Sequence, residues 1–278
     1  MRTCTFKELG AKLPVGVLAD GQLHKDFTLR PYKGRVDRHL AVWREANEGK
    51  SMAHLAAKYL SLVVASIGNE ALTLTGDGDS TSEQVFKVSD WHFADAMYLY
   101  VYSRIVNVSE LIEVPYRCPR CGTRGIIKAD LLSAEVRVME NPAEMYTWVD
   151  LHDGFKIASA PKPIKRIRLQ PIRFRAMFQA GASQAEVGSF TYMQLRESIV
   201  ELEGAPAGYI VQDSELDELT KKDLLRIDRQ TNSVMAGPDL RTTVECPKAD
   251  CGIKIRDALN WAFDPFFDSS VPSVALER

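Results

Sequence analysis

No stretch of the 278-residue chain is apolar for long enough to suggest a membrane span. The longest apolar-rich run, Leu60-Ser-Leu-Val-Val-Ala-Ser-Ile67, falls well short of the roughly 20 residues such a span takes. The opening residues, Met1-Arg-Thr-Cys-Thr-Phe-Lys-Glu8, lack the apolar core of a secretion signal. An excess of charge is missing too: 35 Lys and Arg face 37 Asp and Glu, for a formal net charge of -2. Each phosphate contact takes a Lys or Arg, so this balance disfavours nucleic acid as the main partner. These absences predict a soluble chain made in a reducing cytoplasm, with no membrane contact.

Catalytic signatures are absent as well. The five histidines (His24, His39, His54, His92 and His152) stand singly, none within a His-Glu-x-x-His pattern. There is no Gly-x-Gly-x-x-Gly, no phosphate loop ending in Gly-Lys-Ser/Thr and no Gly-x-Ser-x-Gly. The chain is accordingly read as not an enzyme.

What is present is an ordinary globular composition, 45% hydrophobic and 26% charged, in a length sufficient for one large domain or two smaller ones. Of the five cysteines, four lie in two tight pairs. The first is Tyr116-Arg-Cys-Pro-Arg-Cys-Gly-Thr123 and the second Val244-Glu-Cys-Pro-Lys-Ala-Asp-Cys-Gly-Ile253. In an unsecreted chain such pairs point to metal rather than to disulfides.

Both pairs follow one plan: a short strand, Cys-Pro, a tight turn, then Cys-Gly. Two thiolates this close must face one spot, which needs a sharp reversal. Gly122 and Gly252 can supply the positive φ, and the prolines pre-set the turn entry. Cys118, Cys121, Cys246 and Cys251 are therefore expected to bind one structural Zn2+ in a closed tetrahedral site, with an iron–sulfur cluster as the other metal reading. About 124 residues separate the pairs, against roughly 15–20 in compact ribbons, so the middle of the chain must leave the ribbon and return. Cys4 receives no role.

The expected fold class is α+β: an N-terminal β-hairpin plus helices, and a zinc ribbon split by a long α+β insertion. The boundaries read as 1–115 for the hairpin-helical domain, 116–130 and 240–268 for the two ribbon halves, 131–239 for the insert and 269–278 for a tail.

Asp20-Gly21 between two alternating runs predicts a hairpin, its second strand (His24–Arg30) turning Phe27 and Leu29 to one face and stopping at Pro31. Helices are expected over 37–46, over 51–67 with Ser51 as cap and Gly68-Asn69 as stop, and from Ser89-Asp90 to about Ile105. Trp91, Ala94, Met97, Tyr98 and Val101 should form the inner stripe of the last. Thr75 to Ser82 reads as a polar loop without the Glu that would close a calcium loop.

In the insert, strands are expected over 131–138, 146–151 and 164–170, the last with Ile167 and Leu169 inward and Arg166 and Arg168 outward. Helices should follow over 174–179, 191–202 and 215–232. An echo links Leu18-Ala-Asp-Gly-Gln and Leu29-Arg-Pro with Leu151-His-Asp-Gly-Phe and Leu169-Gln-Pro, as if the insert copied the first hairpin–helix unit.

A basic stretch carries Lys162, Lys165, Arg166, Arg168, Arg173 and Arg175. With no aromatic interleaved before Phe174, it reads as a solvated strand face or a docking face for an acidic protein surface rather than a nucleic-acid track.

The ends of the chain carry a resemblance. Leu13-Pro-Val-Gly-Val-Leu-Ala-Asp-Gly21 and Phe27-Thr-Leu-Arg-Pro-Tyr-Lys-Gly-Arg35 resemble the start of tail-assembly and baseplate proteins of tailed bacteriophages. The closing Cys246-Pro knuckle, the strand after it and Phe266-Phe267 resemble the end of baseplate hub proteins of contractile-tailed phages. The resemblance implies a structural or assembly protein of the hub or wedge region. It would bind other baseplate and tail proteins and reside in the virion after assembly in the host cytoplasm. The alternative is a zinc-ribbon nucleic-acid-binding factor using Arg117, Arg120, Arg124 and the basic stretch, opposed by Glu245 and Asp250 on the second knuckle.

Overall fold

The computed structural model describes residues 1–178, 194–239, 244–246 and 248–255. The chain is α+β, with every strand pairing antiparallel. It opens with strand β1 (Arg2–Thr5) and a one-turn helix α1 (Phe6–Leu9) closed by a capping box between Thr5 and Glu8. Strands β2 (Lys12–Ala19) and β3 (Gln22–Leu29) then form the expected hairpin. Asp20 and Gly21 both take positive φ, 51° and 74°, the turn that matches strand twist.

Helix α2 (Gly34–Ala46) starts three residues before the expected Asp37 and buries Val36, His39 and Leu40. Helix α3 (Met52–Val63) is buried nearly all round and forms the centre of the first core. Ser51 sits at its N-cap, but its hydroxyl donates to the Phe178 carbonyl (2.9 Å) instead of capping.

The expected continuation of α3 to Ile67 is corrected: Val64–Ile67 is strand β4, paired with β3 through Phe27↔Ile67 and Leu29↔Val64. A Val-Ala-Ser-Ile segment bears either structure, and the open edge of β3 decides it. Gly68 is thus not a helix stop but the turn into the short strand β5 (Glu70–Ala71).

A second correction concerns 82–107. One helix from Ser89 was expected; two occur, α4 (Ser82–Ser89) and α5 (Phe93–Asn107), with Asp90 ending the first. The overlooked signal was Thr81-Ser-Glu-Gln84, whose threonine accepts from the Gln84 N–H. Trp91, Ala94, Met97, Tyr98 and Val101 are all buried, as expected. The acidic loop before α4 serves the core, since Asp79 pairs with the buried Lys58 (2.7 Å).

Strands β6 (Leu111–Arg117) and β7 (Arg124–Asp130) carry the first cysteine pair at their tip. Strand β8 (Glu135–Val138) follows a 3-10 turn at Leu131–Ser133 and pairs with β1, so the stretch expected to open the insert hydrogen-bonds to the start of the chain.

Strands β9 (Thr147–Phe155), β10 (Ile164–Leu169) and β11 (Ile199–Leu202) make the second sheet, with Ile167 and Leu169 buried and Arg166 and Arg168 outward. Phe174–Met177 is a 3-10 turn where a helix to 179 was expected; residue 179 lies outside the described residues. The helix expected over 191–202 is corrected as well. Residues 194–198 are helical and β11 takes over, while 191–193 lie outside the described residues. The single helix expected over 215–232 is two, α6 (Asp213–Leu216) and α7 (Lys221–Val234), the second capped by Thr220. Strand β12 (Gly237–Pro238) then pairs with β8. Leu216, Leu219 and Ile227 close a second core.

The two cores are copies of one plan. β3 meets β4 through Phe27↔Ile67, Thr28↔Ser66 and Leu29↔Val64, with a register shift before Leu29. β10 meets β11 through Ile167↔Leu202, Arg168↔Glu201 and Leu169↔Ile199, with the shift before Leu169. Just beyond, the Arg30 N–H donates to the Val63 carbonyl (2.7 Å) and the Gln170 N–H to that of Ser198 (2.8 Å). In each copy a glycine at positive φ in the first strand, Gly16 (91°) or Gly154 (72°), lies where a Cβ would strike a carbonyl of the next strand.

The N–H groups of these glycines donate to an aspartate in the first turn of the long helix. Asp95 accepts from Val15 and Gly16 (2.8 and 2.9 Å), and Asp223 from Asp153 and Gly154 (3.1 and 3.0 Å). The sequence echo was therefore real, aligned at Leu29-Arg-Pro with Leu169-Gln-Pro but misaligned at the Asp-Gly pairs. Asp153-Gly154 lies inside strand β9 and corresponds to Val15-Gly16, not to the turn at Asp20-Gly21. A Gly154→Ala chain should lose about 2 kcal/mol of stability, measured by thermal denaturation, because alanine must take the left-handed conformation against the Ile164 carbonyl.

Candidate metal centre

Each cysteine pair follows the long helix of one copy. The β6–β7 hairpin presents Cys118 and Cys121, and the shorter pairing of β13 (Val244–Glu245) with β14 (Lys254–Ile255) presents Cys246 and Cys251. The turns close alike. The Cys118 N–H donates to the Thr123 carbonyl (2.8 Å) and the Cys246 N–H to the Ile253 carbonyl (3.0 Å), each spanning both cysteines of its knuckle. Gly122 and Gly252 take positive φ, 70° and 53°, as the sequence required.

The four sulfurs lie within 4.8 Å of one another. Cys118 and Cys251 Sγ are 3.8 Å apart, and Cys121 and Cys246 Sγ 3.6 Å. The first cysteine of each knuckle thus meets the second of the other, as in a two-fold arrangement. Cys118, Cys246 and Cys251 are buried and Cys121 half-buried.

Tetrahedral metal–sulfur bonds of about 2.3 Å set neighbouring sulfurs about 3.8 Å apart, so the spacing fits one ion at the centre. A cluster of several irons would hold the thiolates farther apart, so the spacing favours a single ion over an iron–sulfur cluster. Among the described residues this is the one group of His, Cys, Asp or Glu able to hold a metal. No described helix is long and apolar enough to cross a membrane. No family model matches the chain, and neither the curated proteins nor the solved structures give a match.

Electrostatics point to a cation. The Cys121 thiol is drawn down to about 6, first by the Thr123 side chain 3.1 Å away, then by the Thr123 backbone. Cys246 receives a lowering hydrogen bond from the Lys248 backbone, yet burial and the three neighbouring cysteines drive it up to about 12. Four sulfurs this close cannot all ionise together without a positive ion among them. Arg120 braces the pair of knuckles by donating to the Cys251 carbonyl (3.2 Å). Cys4 stands apart on β1, packed against the first core, its thiol raised by burial.

The basic stretch is largely engaged within the chain. Arg166 pairs with Asp150 (3.2 Å), Arg168 with Glu201 (3.0 Å), and Arg175 with Glu197 and Asp90 (2.9 and 3.0 Å). Lys165 donates to the His152 and Asp153 carbonyls, and Arg173 to that of Asp90. Arg168 also covers the Tyr146 ring, 4.4 Å from its centre.

Reading the histidines singly missed one environment. His92 and Asp95 lie together at the start of α5, buried against β2 and Arg173. The available signal was a histidine at a helix N-cap, a position usually held by Ser, Thr, Asp or Asn.

Proposed function

We propose that Cys118, Cys121, Cys246 and Cys251 hold a structural zinc ion, and that the chain is a non-enzymatic protein of a contractile-tail baseplate, in its hub or wedge region. It would act by binding other baseplate and tail proteins. The observation that carries the metal reading is the cluster of four sulfurs within 4.8 Å of one another, drawn equally from both copies. Four protein thiolates fill the coordination of zinc and leave no position for substrate, so the ion holds parts in place.

The baseplate reading rests on the resemblance of the hairpin and of the closing knuckle, and a metal-stapled scaffold suits an assembly role. The pairing of Arg166, Arg168 and Arg175 with acids supports a protein partner over nucleic acid: phosphates would have to displace carboxylates already in place. Residues 256–278, with Phe266 and Phe267, lie outside the described residues.

Two measurements test this. Elemental analysis of the purified chain should give about one zinc per chain; iron or no metal would remove the zinc assignment. Mass spectrometry of particles and assembly intermediates should find the chain with baseplate proteins in the virion or its precursors, which form in the host cytoplasm. Tails that assemble normally without it, and never contain it, would overturn the baseplate reading. Binding to DNA or RNA that weakens steeply with salt would favour the nucleic-acid alternative instead.

A further inference from the structure

The β6–β7 ribbon has two outer edges, and they differ. At its tip the Cys118 N–H donates to the Thr123 carbonyl (2.8 Å), and at its base the Leu131 N–H donates to the Glu110 carbonyl (2.9 Å). Hydrogen-bonded pairs alternate between these two. Leu111↔Asp130, Glu113↔Lys128, Pro115↔Ile126 and Arg117↔Arg124 are therefore the pairs whose N–H and C=O groups point away from the ribbon.

Along β6 that outward row is interrupted. The Leu111 N–H donates to the Ser109 hydroxyl (3.0 Å) and its carbonyl accepts from Arg104 (3.4 Å), while Pro115 has no N–H to offer. Along β7 the Asp130 carbonyl accepts from the Ser133 hydroxyl (2.7 Å). The N–H and C=O groups of Arg124, Ile126 and Lys128 have no partner outside the ribbon among the described residues. Proteins blunt the strand edges they do not use, and this one is open over 124–128.

Its side chains narrow what it can take. Ile126 is 64% exposed beside the edge. On the same face Arg124 stands directly opposite Arg117; both are exposed, and neither has an ion pair among the described residues. Like charges set opposite one another are unfavourable, and an incoming carboxylate relieves both. A second copy fits badly, because full antiparallel pairing of the open span with itself sets Arg124 opposite Lys128 twice. Nucleic acid fits no better: phosphates offer acceptors alone, whereas the edge alternates donor and acceptor.

We propose that the open edge of β7 takes a strand from a partner protein, an extended segment with an apolar residue opposite Ile126 and an acidic one opposite Arg124. It pairs antiparallel, as every strand of this chain does. Main-chain bonds hold the segment, and the two side-chain positions select it. The proposal rests on the reading of the chain as a protein-binding one; it needs neither the ion nor the phage resemblance.

Calorimetry on the full chain would use the peptide acetyl-Thr-Glu-Thr-Ile-Thr-Glu-Thr-amide as probe. One control has lysine for both glutamates. The other is N-methylated at its isoleucine, which removes the N–H that meets the Ile126 carbonyl. The first peptide should bind, and the two controls about tenfold more weakly. Arg124→Glu should reverse the order of the glutamate and lysine peptides. Ile126→Pro, which gives β7 the interruption that Pro115 gives β6, should abolish binding while thermal melting stays near that of the wild type. No binding of the glutamate peptide at millimolar concentration, or equal binding of its N-methylated form, overturns the proposal. A solution dimer that Ile126→Pro splits would make a second copy the occupant and overturn it. Displacement of the peptide by a single-stranded oligonucleotide would assign the arginines to phosphate and overturn it too. The three peptides decide on the wild type even if neither variant folds, and their failure would leave the zinc and virion measurements untouched.

Discussion

A Cys118→Ser chain is expected to purify with far less than one zinc and to melt about 10 °C or more below the wild type, and Cys246→Ser should match it. Structural zinc binding is worth more than any single core contact, and losing it here removes the tie between two hairpins. The two cysteines are counterparts, so the losses should be of one size. Cys4→Ser is the control. It lies on β1 away from the sulfur cluster and should keep its metal and lose little stability. Equal metal content in Cys118→Ser and wild type, by elemental mass spectrometry, would remove the tetrahedral site from consideration.

Asp95→Ala should be the costliest single change outside the metal centre, destabilising by about 3 kcal/mol in denaturant titration. It leaves the Val15 and Gly16 N–H groups buried and unpaired and opens a space under β2. The effect should depend on pH in a stated direction. Burial, opposed by those two N–H bonds, raises the Asp95 carboxyl from 3.8 to about 6 in the folded chain. Between those values the folded chain holds a proton that the unfolded chain has released, so acid favours folding in this window. The advantage of wild type over Asp95→Ala should therefore widen as pH falls from about 6 toward 4. A gap that narrows instead would show that the N–H bonds outweigh burial and keep the carboxylate ionised.

The sequence announced what is decided locally. Asp20-Gly21 dictates a turn through its own backbone preferences, and Cys-Pro…Cys-Gly dictates a knuckle. The apolar stripe of α5 follows from helical spacing. What could not be read were decisions made by distant neighbours. Val64–Ile67 becomes a strand because β3 has an edge to fill, and the chain past residue 198 becomes a strand because β10 does.

The repeat was hidden for a related reason. Its matched positions agree in register and hydrogen bonding while their side chains differ, as with Thr28 and Arg168, or Arg30 and Gln170. Gly16 with Gly154, and Asp95 with Asp223, are the identities that backbone geometry enforces.

Strand β8 lies between β1 and β12, bonded on one side to the first residues of the chain and on the other to residues that follow the last long helix. A polypeptide emerging from the ribosome can close the β2–β3 hairpin early, but it cannot finish this clasp until Pro238 is free of the exit tunnel. Both flanks must travel far along the chain to meet one middle strand, a high contact order that slows the final step. Until then β8 exposes an unpaired edge. Maturation of this fold should therefore be gated by the synthesis of β12, and truncated products ending before it should be prone to aggregate rather than survive as half-molecules.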